Sequence, residues 1–296
     1  MSRTTAVFLV LLSAVAFGSI AMFAKIAYAS GTSPSALLAL RFLLAAAMLA
    51  PLVWIKRIPL PRGRALAGYM VMGLLYTAQA QTYFNALLYA SSGLVGLLLY
   101  IYPILVTILA ILLGWEKLDR RMLILMTFAC LGLAITLGGK LQGQPLGIFL
   151  ALAAAVIYAT YILLGNRLSH NTHPLAATVV ILTTAACCNG TLAIVSGATL
   201  PATPGGWLAV GAIALFCTVI AISTFLSGVK HIGASQASII STLEPIITLA
   251  IGACVFGEKA SASQLLGGAM VLIAVILLAQ RPAPVARIDS NAACLI

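Results

Sequence analysis

The sequence predicts an all-α membrane protein: ten transmembrane helices in two inverted five-helix repeats. Three observations carry this expectation. The chain is 62% hydrophobic and 7% charged, with a mean hydropathy of +1.15, whereas a soluble domain carries about 25% charged residues. Apolar runs of about 20 residues recur along the whole length, each enough to cross about 30 Å of hydrocarbon. One plan also occurs twice, at residues 91–117 (SSGLVGLLLYIYPILVTILAILLGWEK) and 233–259 (GASQASIISTLEPIITLAIGACVFGEK). In both, small residues lead into an apolar run, proline stands halfway and Glu-Lys closes it. Pro103, Glu116 and Lys117 correspond to Pro245, Glu258 and Lys259 at a constant offset of 142 residues.

In hydrocarbon only helices and closed barrels satisfy the backbone, and these runs are continuous rather than alternating, so they are helices. The spans fall at residues 5–28, 34–55, 65–87, 93–113, 122–139, 146–164, 174–196, 207–228, 235–256 and 263–280. Span 1 follows Arg3, and Ala14-Val15-Ala16 resembles a cleavage site; the apolar run continues to Ala29, so an uncleaved span is expected. Span 2 contains Arg41, about 10 Å below the outer surface at 1.5 Å per residue. A long cation there either snorkels outward or bonds helix carbonyls. Span 3 is unusually polar: Tyr76, Gln79 and Tyr83 share one face, with Thr77, Gln81 and Asn85 on the other. Such a load does not suit lipid, so span 3 is expected in the interior. In span 4, Tyr100 and Tyr102 flank a break before Pro103, and in span 6 Tyr158 and Tyr161 lie on one face. Tyrosine rings stack while their hydroxyls hydrogen-bond, which suits an amphipathic organic solute; helix packing with satisfied hydroxyls is the alternative. Span 8 carries Thr218, Ser223, Thr224 and Ser227, whose ordinary role is helix–helix hydrogen bonding. Residues 281–296 are polar, contain proline and read as a disordered tail.

Span 9 carries the one acidic residue of five that lies inside a span, Glu244. It is about nine residues from the cytoplasmic end, roughly 14 Å deep. An intramembrane carboxylate is costly and marks function by default. Pro245 removes one N–H and frees the carbonyl of Ser241; Ser241, Glu244 and Thr248 share a side of a continuous helix. Glu244 can bind a substrate amino group, carry a coupling proton, or anchor span 9 to a neighbour.

Basic residues set the orientation. With the N-terminus inside, the cytoplasmic segments hold twelve Lys and Arg: Arg3, Lys56, Arg57, Arg62, Arg64, Lys117, Arg120, Arg121, Arg167, Lys230, Arg281 and Arg287. The outer loops hold two, Lys140 and Lys259. The net charge of +11 is therefore topology. Nucleic acid would need one contiguous basic soluble face, and none is present. The three histidines, His170, His173 and His231, are in or beside cytoplasmic loops, and no span contains Asp. No nucleophile–base pair or aspartate pair is available within the bilayer, so an enzyme is not expected. The six cysteines show no metal-ligand spacing, and neither metal nor cofactor is expected. Gly139-Lys140 lacks the earlier glycine of a P-loop, and no segment has room for an ATPase domain.

Two five-helix units, each with Pro in its fourth span followed by Glu-Lys, together with Ala39-Leu40-Arg41-Phe42 and Gly267-Gly268, resemble the drug/metabolite transporter superfamily, EamA type. The resemblance spans residues 5–280, with an N-terminal repeat at 1–140 and a C-terminal repeat at 141–280. Overall likeness extends to the bacterial YddG exporters of aromatic amino acids and methionine. The resemblance implies a multi-pass protein of the bacterial inner (plasma) membrane with both termini cytoplasmic. It implies export of aromatic or related hydrophobic amino acids or metabolites by alternating access through a central cavity. The implied partners are the small-molecule substrate, the lipid bilayer and protons. Substrate contacts are expected from Tyr76, Gln79, Tyr83, Tyr100, Tyr102, Tyr158, Tyr161, Ser241 and Glu244. A nucleotide-sugar or sugar-phosphate carrier is the alternative, although phosphate needs fixed cations and only Arg41 and Lys25 are available; a non-transporting scaffold or channel is another. The halves differ at one position: Tyr102 stands where Glu244 stands in the second copy.

The charge bias makes a direct prediction. On a cysteine-free background, Lys140→Cys and Lys259→Cys react with an impermeant maleimide added outside intact cells. Labelling of both only from the inside would overturn the inverted arrangement.

Overall fold

The computed structural model describes residues 1–86, 89–90, 92–115, 119–137, 143–169, 172–256 and 261–279. Glu116, Lys117, Lys140, Glu258, Lys259, His170, Cys294 and the tail with Arg281 and Arg287 lie outside the described residues. Regular structure among the described residues is helical. The α-helices are α1 (Arg3–Gly18), α2 (Ile20–Ala29), α3 (Pro34–Ile55), α4 (Gly63–Ala86), α5 (Ser92–Leu99), α6 (Tyr102–Leu112), α7 (Arg120–Leu137), α8 (Pro145–Ser169), α9 (Pro174–Val195), α10 (Pro204–Ala214), α11 (Ala221–Ile232), α12 (Ala234–Ser241), α13 (Glu244–Phe256) and α14 (Ala262–Ala279). A π-helical turn, Leu215–Ile220, joins α10 to α11.

Local chemistry explains where the helices begin. Ser2, Ser33 and Thr203 accept hydrogen bonds from the backbone N–H groups of Thr5, Ala36 and Gly206, satisfying donors that a helix start leaves free. Pro34, Pro174 and Pro204 occupy first turns, where no N–H is needed. Among the described residues six helical stretches are long and apolar enough to cross a membrane: Arg3–Ala29, Pro34–Ile55, Pro145–Ser169, Pro174–Val195, Pro204–Ile232 and Ala234–Val255. Tyr102–Leu112 and Ala262–Leu277 are shorter apolar helices. Phe8, Trp54, Phe149 and Ile194 are exposed on the outside, while Arg41, Asn189, Gln236 and many Ser and Thr are buried. Apolar outside and polar inside is the distribution that a lipid solvent favours.

The interrupted spans recur at the repeat offset. α5 and α12 are both eight residues long, and α6 begins at Tyr102 as α13 begins at Glu244. Each of these boundaries is displaced by 142 residues, as are those of α7 and α14. The break removes one expectation. Ser241 ends α12 and Glu244 opens α13, so Ser241, Glu244 and Thr248 do not share the side of one continuous helix. At the break Thr242 N–H and Leu243 N–H turn tightly onto the carbonyls of Ile239 and Ile240, both at 3.1 Å.

Two irregularities have no counterpart in the expected straight spans. The first span stops at Gly18 and restarts at Ile20, with the Ser19 hydroxyl donating to Val15 O at 2.8 Å. The cause is tertiary. Gly18 lies against α13, where a Cβ would meet Glu244 O at 2.7 Å, and its carbonyl accepts from Thr248 Oγ1 at 2.8 Å. The second is the π-helical turn, where Thr218 Oγ1 donates to Ile213 O five residues earlier, at 2.9 Å.

Close packing relies on glycine. α7 packs on α14, α1 on α11, α3 on α9, and α4 against both α8 and α9. At the first crossing a Cβ on Gly132 would meet Gly267 O and Met270 Cβ, both at 2.7 Å, and one on Gly267 would collide with Gly132 O and Thr136. Loops lock the bundle at one end: Ala202 N–H donates to Ser30 O at 2.9 Å and Ser33 N–H to Thr199 O at 3.0 Å.

Gly267→Ala should therefore destabilise the protein by about 1–3 kcal/mol, the usual cost of overpacking. A thermal unfolding scan in detergent should show a lower midpoint for Gly267→Ala. The control Gly211→Ala, where a Cβ meets nothing within 4 Å, should unfold at or above the wild-type temperature.

Candidate functional site

The polar residues of spans 2, 3, 4, 6, 8 and 9 converge. Tyr76 on α4 stacks on Tyr161 of α8, centroids 5.4 Å apart at 25°. Tyr161 stacks on Tyr158, 6.0 Å and 13°, because three residues on a helix bring two rings to one face. Tyr158 meets Tyr102 edge to face at 4.7 Å, and Tyr102 lies 6.1 Å from Tyr100. Five tyrosines from three segments thus form one unbroken row. Such contacts add about 0.5–1.5 kcal/mol per pair beyond area burial.

Each end of the row holds a charge-bearing side chain. At one end Tyr100 Oη donates to Glu244 Oε2 at 3.3 Å. The other carboxylate oxygen, Oε1, is buried with no hydrogen-bond partner, although Glu244 as a whole is only half-buried. Glu244 sits at the first turn of α13, where the helix dipole favours negative charge. At the other end Arg41 is buried, at 7% exposure. Its Nε donates to Thr218 Oγ1 at 2.7 Å, and its Nη2 to Tyr76 Oη at 2.8 Å and to Cys217 O at 3.4 Å. Cys217 and Thr218 both belong to the π-helical turn, which packs on α3. Phe42 packs its edge on Tyr76 at 5.4 Å and lies 5.0 Å beneath the guanidinium.

The structure thus brings together Tyr76, Tyr100, Tyr102, Tyr158, Tyr161 and Glu244. Ser241 lies beside the Tyr102 hydroxyl, and that hydroxyl donates to Ser238 O at 3.3 Å. Tyr83 is half-buried within the electrostatic reach of Glu244. Gln79 is half-buried one turn along α4 and is not part of the row. The opposite face of α4 has a packing role: Gln81 Nε2 donates to Asn189 Oδ1 at 3.1 Å, and Asn189 Nδ2 to Thr77 Oγ1 at 3.2 Å, tying α4 to α9. Tyr161 Oη and Ser13 Oγ are buried without a hydrogen-bond partner; unpaired buried polar atoms cost free energy and call for a ligand or water.

Of the two readings for Arg41, bonding to a helix carbonyl holds: its guanidinium turns inward to Cys217 O, Thr218 Oγ1 and Tyr76 Oη. An ionisable group in mid-span is itself the signal that draws attention to it. Thr248, grouped with Glu244, is instead committed to Gly18 O. Lys25 is exposed near the end of α2. Among the described residues no cluster of His, Cys, Asp and Glu could hold a metal. An open depression at the end of α3, lined by Val53, Trp54, Arg57 and Val179, lies apart from the row and contains no comparable set of polar groups.

A helical bundle with apolar side chains outside and polar ones buried inside is a multi-pass membrane protein. The chain belongs to the EamA-like transporter family, whose family model matches residues 4–138 and again 145–280. An uncharacterized transporter of Archaeoglobus fulgidus is 26% identical over 219 residues, covering 72% of this chain and 76% of that protein. The uncharacterized transporter YcbK of Bacillus subtilis is 29% identical over 286 residues, 87% of each. The uncharacterized inner membrane transporter YedA of Escherichia coli K12 is 28% identical over 142 residues, 47% of this chain and 46% of that protein. A solved crystal structure superposes with a TM-score of 0.83 at 20% identity, covering 94% of this chain and 99% of its own; this likeness concerns the fold. The protein is a membrane transporter of this family.

Glu244→Gln keeps size and hydrogen bonding but removes the charge. We expect at least tenfold slower substrate exchange in proteoliposomes, with an unchanged gel-filtration profile. Exchange at the wild-type rate would leave Glu244 as a helix anchor alone.

Proposed function

We propose that this transporter is an inner-membrane exporter of aromatic amino acids and related hydrophobic amino acids, methionine included. Its ten spans form two inverted five-helix repeats, residues 1–140 and 141–280, with both termini in the cytoplasm. Alternating access carries the solute along a central path beside the tyrosine row. The observation that carries this reading is that row, ending on a carboxylate with an unpartnered oxygen. Aromatic faces suit an aromatic or thioether side chain, and a carboxylate in a low-dielectric setting suits an ammonium group.

The helix boundaries recurring at 142 residues support the repeat, and the charge bias supports the orientation. Inverted repeats of this kind place substrate sites near the midplane, at interrupted helices. Here both interrupted spans contribute: Tyr100 and Tyr102 come from the first break and Ser241 and Glu244 from the second. In this reading Tyr76, Gln79, Tyr83, Tyr100, Tyr102, Tyr158, Tyr161, Ser241 and Glu244 contact the solute, and Glu244 takes its amino group or a coupling proton. A sugar-phosphate substrate would require several cations at the site, and among the described residues Arg41 is the cation bonded to the row.

Counterflow in proteoliposomes with labelled amino acids tests the proposal. Preloaded L-phenylalanine should drive saturable uptake of labelled phenylalanine, tyrosine, tryptophan and methionine, and not of aspartate or a hexose phosphate. Saturable exchange of the phosphate alone would replace the amino-acid reading, and non-saturable flux would indicate a channel.

A further inference from the structure

We infer that Arg41 is a specificity-determining residue that recognises the carboxylate of the transported solute, as the opposite station to Glu244; this rests on the amino-acid reading above. At the two ends of the tyrosine row stand a cation, Arg41, and an anion, Glu244, that do not pair with each other. Arg41 makes three hydrogen bonds, all to neutral acceptors: Thr218 Oγ1, Tyr76 Oη and Cys217 O. These use Nε and Nη2. Nη1 has no acceptor among the described residues and is not among the enclosed polar atoms. Glu244 has one bond, from Tyr100, and one buried oxygen left over.

A buried charge without a counterion is costly, and a helix bundle that needed only structural glue would pair the two. This one separates them by a row of tyrosines. Tyr76 stands between them: its hydroxyl accepts from Arg41 and lies within the electrostatic reach of Glu244. An incoming carboxylate would supply Arg41 with the anion it lacks, in a charge-assisted bond to the planar guanidinium. An ammonium would do the same for Glu244. A zwitterion carries both groups, so it alone neutralises both stations as it passes along the row. Solutes with one group would engage one end.

Single-group analogues of phenylalanine separate the stations. Binding of labelled 3-phenylpropionate (carboxylate only) and labelled phenethylamine (amine only) is measured on the purified full-length protein in detergent, with L-phenylalanine counterflow alongside. Arg41→Gln should weaken 3-phenylpropionate about tenfold to hundredfold and spare phenethylamine; Glu244→Gln should do the reverse. Retained phenethylamine binding also reports that Arg41→Gln is folded. Should that variant not fold, Arg41→Lys keeps the charge without the planar fork, and should weaken 3-phenylpropionate severalfold with phenethylamine unchanged. Equal loss of both probes, or no loss of 3-phenylpropionate, in whichever variant folds would overturn the assignment while wild-type phenylalanine exchange stood. Wild-type protein that binds neither probe and exchanges no amino acid would overturn both readings.

Discussion

Hydrocarbon offers no hydrogen bonds, and the rest of this structure depends on that constraint. Every N–H and C=O must find a partner within the bundle, so a helix can be interrupted only where protein surrounds the break. The breaks before Tyr102 and Glu244 obey this rule. Residues beside them turn tightly onto preceding carbonyls, and the side chains there bond across the bundle, Tyr102 to Ser238 O and Tyr100 to Glu244. An interruption thus turns a passive span into a source of inward-facing polar groups.

The same constraint explains why irregular segments gather together. The stop at Gly18 lies against the first turn of α13, and Thr248 closes onto the Gly18 carbonyl. The π-helical turn presents Cys217 O and Thr218 to Arg41. Each local departure from α-helical geometry is matched by a bond from a neighbouring helix. The outside is largely apolar, exposing Phe8, Trp54, Phe149 and Ile194, and the hydroxyls exposed there, such as those of Thr160 and Thr191, bond back to carbonyls of their own helix. The site is polar because the helices that surround it are, on their other faces, lipid-like.

The duplicated plan does not yield a symmetric site. Tyr102 and Glu244 occupy equivalent helix starts, yet one packs in the aromatic row and the other terminates it. The break at Ser19 and the π-helical turn belong to one half each.

Much of the architecture was legible in the sequence, because lipid imposes a length and a composition that can be counted. Apolar runs located the helical segments to within a few residues, and proline marked the break in span 4 because it removes an N–H wherever it stands. Glu244 was legible because a carboxylate in an apolar run has no ordinary reason to be there. Other features were set by partners distant in the chain. Gly18-Ser19 contains no helix breaker as strong as proline; the break there depends on α13, some 230 residues on. Thr218 reads as an ordinary helix hydroxyl until the fold sets it 2.7 Å from Arg41. The direction of Arg41, outward to water or inward to Tyr76, was likewise open, since a long side chain goes where acceptors are. Composition and periodicity determine which segments cross and which residues are costly to bury; only the packed bundle decides which neighbour compensates each of them.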